Sequence, residues 1–76
     1  MENKNIDILH KFGDRIQSLR KDKKLSQEDF AHICGLHRTY IGMIERGEKN
    51  ITLKNIEKLA KALNMDISEI MKELNG

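Results

Sequence analysis

The sequence predicts an all-α fold, a compact arrangement of five short helices. Apolar residues recur at helical spacing, and no segment shows the alternation of polar and apolar residues that is typical of a strand. The chain contains no proline, and glycine and asparagine separate the periodic segments. Helix starts also share a hydrophobic staple, in which an apolar residue precedes the capping residue and a second apolar residue lies five positions after the first.

The first helix is predicted to run from near Ile6 to about Lys21. Its apolar face is marked by three side chains at helical spacing, Phe12, Ile16 and Leu19. Residues 1–5 are polar, and we expect them to fray because nothing apolar ties them to a core.

The second and third helices are predicted to begin after Ser26 and His37. Their staples are Leu25-Ser26…Phe30 and Leu36-His37…Ile41. Ser26 is followed three positions later by Asp29, as in a capping box, although Asp is shorter than the preferred Glu. His37 is an unusual cap, because small polar residues are the usual ones.

The fourth helix is predicted over about Leu53–Leu63 and the fifth over about Ile67–Leu74. Their staples are Ile51-Thr52…Ile56 and Met65-Asp66…Ile70. Asp66 and Glu69 form a second capping-box pattern. An apolar stripe at i, i+3, i+4 and i+7 lies along the fifth helix and consists of Ile67, Ile70, Met71 and Leu74.

The length predicts one domain, residues 1–76, with a modest core. A domain of this size buries roughly 60–65% of its unfolded surface and is helped by a partner chain, so we expect a homodimer. The stripe on the fifth helix is the candidate dimer surface, and the alternative is that it only closes the monomer core. We expect a division in which Ile67 and Ile70 face inward while Met71 and Leu74 are shared with the second copy.

The net charge of +2 is too small to indicate nucleic acid by itself. The charge is uneven, however, since residues 1–25 contain seven Lys or Arg against four Asp or Glu. Much of this excess comes from Arg20, Lys21, Lys23 and Lys24. These cations fit either a solvated helix end or a phosphate contact.

Residues 27–46 have the spacing of a helix-turn-helix formed by helices two and three. The inward side chains are Phe30, Ala31 and Cys34 on the first of these helices, and Leu36, Ile41 and Ile44 around the second. Ala31 is small enough for the two helices to cross closely. Gly35 supplies the turn, because glycine tolerates the left-handed backbone that other residues resist.

The outer face of helix three is predicted to bind DNA. Its side chains are His37, Arg38, Thr39, Gly42, Met43 and Arg46. Arg38 is the expected base reader, because it lies in the first turn and its planar fork matches the two acceptors of a guanine edge. Thr39 suits a phosphate or a thymine methyl, and Met43 suits thymine or ordinary packing. Gly42 would let the backbone approach the DNA, and the alternative is ordinary packing against helix two or a dimer partner.

Further DNA contacts are expected beside this face. Tyr40 lies between the inward and outward faces, where its ring fits the packing and its hydroxyl fits a phosphate. The loop after helix three contains Arg46, Lys49 and Asn50, which could contact the DNA backbone or simply be solvated.

Four segments resemble the lambda-repressor-like, or Xre-type, helix-turn-helix regulators. They are Leu25-Ser26-Gln27-Glu28-Asp29-Phe30-Ala31, Arg38-Thr39-Tyr40-Ile41, Ile44-Glu45-Arg46-Gly47 and Leu59-Ala60-Lys61-Ala62-Leu63. The resemblance covers about Phe12 to Leu74 and is greatest to the controller proteins of restriction–modification systems. It implies a dimeric regulator of its own promoter and of the endonuclease gene, which binds a near-palindromic double-stranded operator.

The resemblance also implies roles for individual residues. Gln27 is expected to contact a phosphate and brace the recognition helix, at a helix start that already favours an anion. Arg20 and Glu45 are expected to form a partly buried ion pair between helix one and the end of helix three. Glu28 is a candidate contact for RNA polymerase, and the alternative is that it complements the positive helix start.

Other functions have weaker support. The sequence has no nucleophile elbow, phosphate loop or catalytic carboxylate pair, so we expect no enzyme and no cofactor. We expect no metal either, because His32, Cys34 and His37 point to different sides of the turn and Cys34 occupies an apolar position. An antitoxin that binds a protein toxin and its own promoter is the alternative function, since antitoxins often have this fold.

A cytoplasmic protein without membrane contact is expected. No apolar run approaches the ~20 residues of a membrane span, and Met1–Phe12 lacks the long apolar stretch of a secretory signal. The single cysteine excludes an internal disulfide.

Overall fold

The computed structural model describes residues 7–72 and 74, and this part of the chain contains five helices and no strand. The helices are α1 (Ile8–Asp22), α2 (Gln27–Cys34), α3 (Arg38–Glu45), α4 (Leu53–Leu63) and α5 (Ile67–Lys72). Helix α3 packs against α1 and α2, while α4 packs against α2 and α5, and α1 also contacts α5. The predicted all-α fold, with a helix-turn-helix made by α2 and α3, is confirmed.

Local capping explains where the helices begin. The Ser26 hydroxyl accepts a hydrogen bond from the Asp29 amide at 3.0 Å, and the Thr52 hydroxyl accepts one from the Asn55 amide at 3.2 Å. At the start of α5, the Asp66 amide donates to Glu69 Oε1 at 2.9 Å. His37 precedes α3 as predicted, but its side chain caps no amide within the described residues.

Left-handed residues follow the ends of four of the described helices, Lys24 after α1, Gly35 after α2, Gly47 after α3 and Asn64 after α4. Gly35 has φ of 73°, and the following Leu36 amide donates to the carbonyl of Ala31 at 2.9 Å. Asn64 has φ of 58° and ends α4 in the same way, because the Met65 amide donates a hydrogen bond to the Ala60 carbonyl. The turn at Gly35 is short, since only residues 35–37 separate α2 from α3.

Helix α1 begins slightly later than the sequence predicted. It starts at Ile8 rather than near Ile6, because the Asp7 carboxylate accepts the His10 amide at 3.1 Å and so caps the first turn. The expected fraying of residues 1–5 concerns positions outside the described residues.

Within the described part of the chain, the core contains twelve apolar residues that are at least nine-tenths buried. They are Phe12, Ile16, Phe30, Ala31, Cys34, Ile41, Ile44, Leu59, Ala60, Leu63, Ile70 and Leu74. Burial raises the pKa of the Cys34 thiol to about 11, so the thiol stays protonated at neutral pH. Among the described residues, no buried side-chain nitrogen or oxygen lacks a hydrogen-bond partner.

A glycine inside α1 brings this helix close to α3. A Cβ atom on Gly13 would lie 2.7 Å from the carbonyl oxygen of Glu45 and would also collide with the carbonyl of Ile44. The approach of the two backbones therefore requires glycine at this position. This contact places α1 against the last turn of α3, the helix that carries the predicted DNA-binding side chains.

The expected division of the α5 stripe is wrong in part. Ile70 and Leu74 are buried in the single chain, with Leu74 only 8% exposed, whereas Ile67 and Met71 remain partly exposed. Residues four apart share a helix edge, so Met71 follows Ile67 toward the surface.

The described part of α5 stops at Lys72, so the predicted continuation to Leu74 lies partly outside the described residues. Within α5, the carbonyls of Glu69 (3.1 Å) and Ile70 (3.3 Å) accept hydrogen bonds from the side chain of Arg15.

Candidate nucleic-acid interface

The outer face of α3 presents side chains from its first turn. His37, Arg38 and Thr39 are exposed, and Met43 is half-buried one turn further along. The opposite side of the helix is held in the core by Ile41 and Ile44. An arginine and a threonine are thus directed outward at the end of the helix that would enter a major groove first.

Gly42 does not form the open backbone surface that the sequence suggested. It is buried, and a Cβ atom on it would lie 3.1 Å from Arg46 Nη1 and 3.7 Å from Gln27 Oε1. The side chains of Gln27 and Arg46 cover the space that glycine leaves vacant. Gly42 therefore brings residues from the start of α2 and the end of α3 together.

Arg20 and Glu45 form the ion pair expected between α1 and α3. Arg20 Nε donates to Glu45 Oε2 at 2.7 Å and Nη2 donates to Oε1 at 3.0 Å. Arg20 Nη1 also donates to the Leu25 carbonyl at 2.7 Å, just before α2. One guanidinium therefore connects three chain segments, and it is not free to contact a phosphate.

The Glu45 carboxylate remains ionised despite its burial. Burial alone would raise the pKa of Glu45, but hydrogen bonds from Arg20 and Gln27 and the charge of Arg20 outweigh it and lower that pKa from its ordinary 4.5. The hydrogen bond to Glu45 likewise raises the pKa of Arg20. The pair is thus fully charged at neutral pH.

Two glutamines complete the network around Glu45. Gln27 Nε2 donates to Glu45 Oε1 at 3.0 Å, and Gln17 Nε2 donates to the same oxygen at 3.4 Å. Gln27, the first residue of α2, is therefore fastened to the last residue of α3. The sequence pattern gave no indication of Gln17, because a glutamine on an exposed helix edge would look the same.

Tyr40 is half-buried, and its hydroxyl accepts a hydrogen bond from Asn55 Nδ2 at 3.0 Å. The contact joins α3 to the first turn of α4. Since the hydroxyl accepts this bond, its own proton remains available for a phosphate. Asn55 was missed at the sequence level, because only the tertiary structure brings it to Tyr40.

The loop after α3 begins with an exposed ion pair. Arg46 Nε donates to Glu48 Oε2 at 3.0 Å, and Arg46 Nη2 donates to Oε1 at 3.2 Å. The hydrogen bond to Glu48 raises the pKa of Arg46, and the reciprocal effect lowers the pKa of Glu48. The predicted contacts Lys49 and Asn50 follow and are exposed.

Gly47 fixes the course of this loop. It has φ of 73°, and a Cβ atom on it would lie 2.8 Å from the ring of His10 in α1. His10 Nδ1 is in turn 2.9 Å from Asp7 Oδ1. The N-terminal turn of α1 therefore packs directly against the loop that the sequence assigned to the DNA backbone.

The remaining candidates lie on the surface. Glu28 is exposed in the first turn of α2, and Lys21, Lys23 and Lys24 are exposed at the end of α1. The described residues contain no cluster of metal-ligating side chains, and no helix within them is both long and apolar enough to cross a membrane.

A helix-turn-helix family model matches residues 16–70, a span that includes the whole of α2, α3 and α4. The chain belongs to this Xre-type helix-turn-helix family. Among its curated relatives, the control protein C.SmaI of Serratia marcescens is 46% identical over 66 residues, which cover 87% of this chain and 79% of the relative. The control protein C.BamHI of Bacillus amyloliquefaciens is 46% identical over 68 residues, which cover 88% of this chain and 82% of that relative.

Solved structures of the family superpose closely. The restriction–modification controller protein C.AhdI from Aeromonas hydrophila has a TM-score of 0.80 and 50% identity, over 82% of this chain and 94% of that one. The controller protein C.Esp1396I, solved as a tetramer with its natural 35 base-pair operator, has a TM-score of 0.84 and 34% identity, over 93% of each chain. The predicted resemblance to Xre-type regulators, and to restriction–modification controllers among them, is confirmed.

Proposed function

We propose that this protein is a transcriptional regulator that binds double-stranded operator DNA through the outer face of α3 and acts in the cytoplasm as the controller of a restriction–modification system. The relatives that carry the name of controller or control protein support this function. The observation that supports it most directly is the outward face of α3, whose last residue is hydrogen-bonded to α1 and α2.

Rigidity is what makes this face suitable for sequence recognition. The Glu45 carboxylate at the end of α3 accepts hydrogen bonds from Arg20 of α1 and Gln27 of α2. A helix held from two neighbours keeps its side chains in one register, as direct reading of base edges requires. Arg38 and Thr39 then project from a helix whose position is set by α1 and α2.

Each candidate side chain has a proposed contact. Arg38 donates two hydrogen bonds from its guanidinium to the edge of a guanine. Thr39 contacts a thymine methyl group or a phosphate, and Met43 contacts a thymine methyl group. Gln27, His37, Tyr40, Arg46, Lys49 and Asn50 contact the DNA backbone. These contacts to the DNA backbone on both sides of α3 orient the helix in the major groove.

Selection of bound sequences from a random duplex pool tests this function. We expect a near-palindrome whose half-sites lie about one helical turn, ~34 Å or 10 base pairs, apart. Arg38→Ala should weaken binding by about 1–3 kcal/mol and relax the preference at one guanine in each half-site. Lys58→Ala, which removes an exposed charge from α4, is the control and should leave the preference unchanged. Equal weakening on all sequences would make Arg38 a phosphate contact instead.

The proposed regulator is a homodimer, with a dimer surface on α4 and α5. Leu53 is 72% exposed at the start of α4, and it borders the same shallow groove as the partly exposed Ile67. Met71 continues this apolar surface along α5. We therefore assign the intersubunit contact to Leu53, Ile67 and Met71, with Ile70 and Leu74 supporting it from the core.

Activation through RNA polymerase is an extension of the proposal. Glu28 is exposed, and it lies on α2 outside the network that holds α3. Glu28→Gln should abolish activation of a reporter promoter, while operator affinity stays the same or rises slightly because a repulsion from phosphate is lost. Asp14→Asn is the charge-matched control on α1. Activation that survives Glu28→Gln would leave Glu28 with only a local role at the start of α2.

A further inference from the structure

The guanidinium of Arg46 is occupied by a carboxylate of the same chain. Its Nε and Nη2 donate to the two oxygens of Glu48 at 3.0 and 3.2 Å, and both side chains are exposed. The third nitrogen, Nη1, points back toward Gly42 at the middle of α3. Glu48 therefore holds the Nε/Nη2 edge of Arg46, while Nη1 lies beside α3.

A phosphate would bind to this same edge. The paired donors Nε and Nη2 form the fork with which arginine takes a carboxylate or a phosphate in two-point geometry, and they cannot serve both at once. A DNA phosphate that binds this Nε/Nη2 fork must therefore displace Glu48.

We propose that Glu48 is an internal competitor of the DNA phosphate, which holds Arg46 in the free protein and lowers affinity for all duplexes without changing sequence preference. The proposal rests on the function given above, with Arg46 at the DNA backbone. Glu48 is a positioning residue in this scheme, since it acts through Arg46.

The size of the effect is bounded by the exposure of the pair. Exposed ion pairs are weak, so Glu48→Gln should raise operator affinity by only about two- to five-fold for each copy of the Arg46–Glu48 pair that contacts the DNA. A phosphate contact carries no sequence information, so the gain should be the same on operator and on unrelated duplexes. Both the sign and the uniformity of the effect are measurable.

A mutant cycle separates competition from simple charge repulsion. Duplex binding is measured for the wild type, Glu48→Gln, Arg46→Gln and the double variant, with Asp14→Asn as a control for the loss of one negative charge on α1. We expect Glu48→Gln to strengthen binding when Arg46 is present and to have no effect when it is absent. A gain that persists without Arg46 would overturn the proposal, as would a loss of affinity or no change in Glu48→Gln.

A DNA-independent measurement distinguishes failure of this proposal from failure of the proposed function. Inorganic phosphate is titrated into the wild type and Glu48→Gln while the Arg46 Nε–H resonance is followed by NMR. We expect a larger phosphate-dependent shift in Glu48→Gln, because the fork is vacant. Equal shifts would overturn the competition even if the protein binds operator, whereas a larger shift in a protein that binds no duplex would overturn the DNA-binding function instead.

Discussion

Arg20 of α1 and Glu45 of α3 form a two-point ion pair inside the domain, where they are only 7% and 6% exposed. The attraction between such charges is offset by the cost of removing them from water, so a buried pair is weak evidence for net stability. Its consequence here is geometric. Because Arg20 also donates to the Leu25 carbonyl, the pair sets the end of α3 relative to α1 and to the start of α2.

Removal of one partner of this pair should destabilise the fold strongly. Glu45→Ala leaves the Arg20 guanidinium buried without its carboxylate and should lower the free energy of unfolding by roughly 3–5 kcal/mol. Urea denaturation measures the change. The double variant Arg20→Met/Glu45→Leu should lose less, since no charge is then left buried. An unchanged midpoint in Glu45→Ala would mean that the pair is solvated.

The same pair should contribute to acid sensitivity. The pKa of Glu45 is lower in the folded chain than in the unfolded one, so its contribution to stability is present above the ordinary value of 4.5 and is lost as pH falls through the folded value. Denaturation midpoints between pH 6 and 3 should fall less steeply for Glu45→Gln than for the wild type. Glu48→Gln, which alters an exposed pair, should keep most of the wild-type slope. Parallel curves for the wild type and Glu45→Gln would contradict this prediction.

Gly13 offers a test of how closely α1 and α3 approach. Alanine normally stabilises a helix interior by about 1 kcal/mol relative to glycine. At Gly13 the added methyl group would collide with backbone oxygens of α3. Gly13→Ala should therefore lower the free energy of unfolding by about 1–3 kcal/mol, which thermal denaturation would show as a lower midpoint. Ser18→Ala, at an exposed position of α1, should be neutral or slightly stabilising. A stabilised Gly13→Ala would show that the two helices separate easily.

The dimer surface can be tested without disturbing the core. Leu53→Glu changes an exposed residue at the start of α4, where a negative charge is compatible with the helix dipole. Sedimentation should then show monomers with unchanged helicity and weakened operator binding. Ile33→Glu changes an exposed apolar residue of α2 and should leave association intact. A Leu53→Glu protein that still sediments as the wild type would exclude this surface. Leu74→Glu is unsuitable for the test, because Leu74 belongs to the core.

Local patterns predicted the helices well, because the signals act over a few residues. Ser26, Thr52 and Gly35 make the caps and the turn that their residue types favour, and they do so within four positions of the chain. His37 shows the limit of such signals. The staple around it placed the start of α3 correctly, although its side chain caps no amide in the described part of the chain.

The family resemblance extended the prediction to contacts between helices. Arg20 and Glu45 are 25 positions apart, and nothing in local spacing pairs them. The roles of Gln17 and Asn55 had no comparable signal, since an amide side chain on a helix is compatible with many partners. Gly13 did have a sequence signal. A glycine within a periodic helix lowers helix stability relative to alanine, so its presence suggests a close packing contact.

By itself, the sequence determined the five helices, the caps of α2 and α4 and the outward position of Arg38 and Thr39, because periodicity and capping are local properties of the chain. Only the tertiary structure decided that Leu74 is buried, that Gly42 is covered by Gln27 and Arg46, and that Glu48 occupies the guanidinium of Arg46. These outcomes depend on how close separate segments come and at what angle. A helical stripe defines which residues can face a neighbour, but the neighbour's position determines which of them it covers.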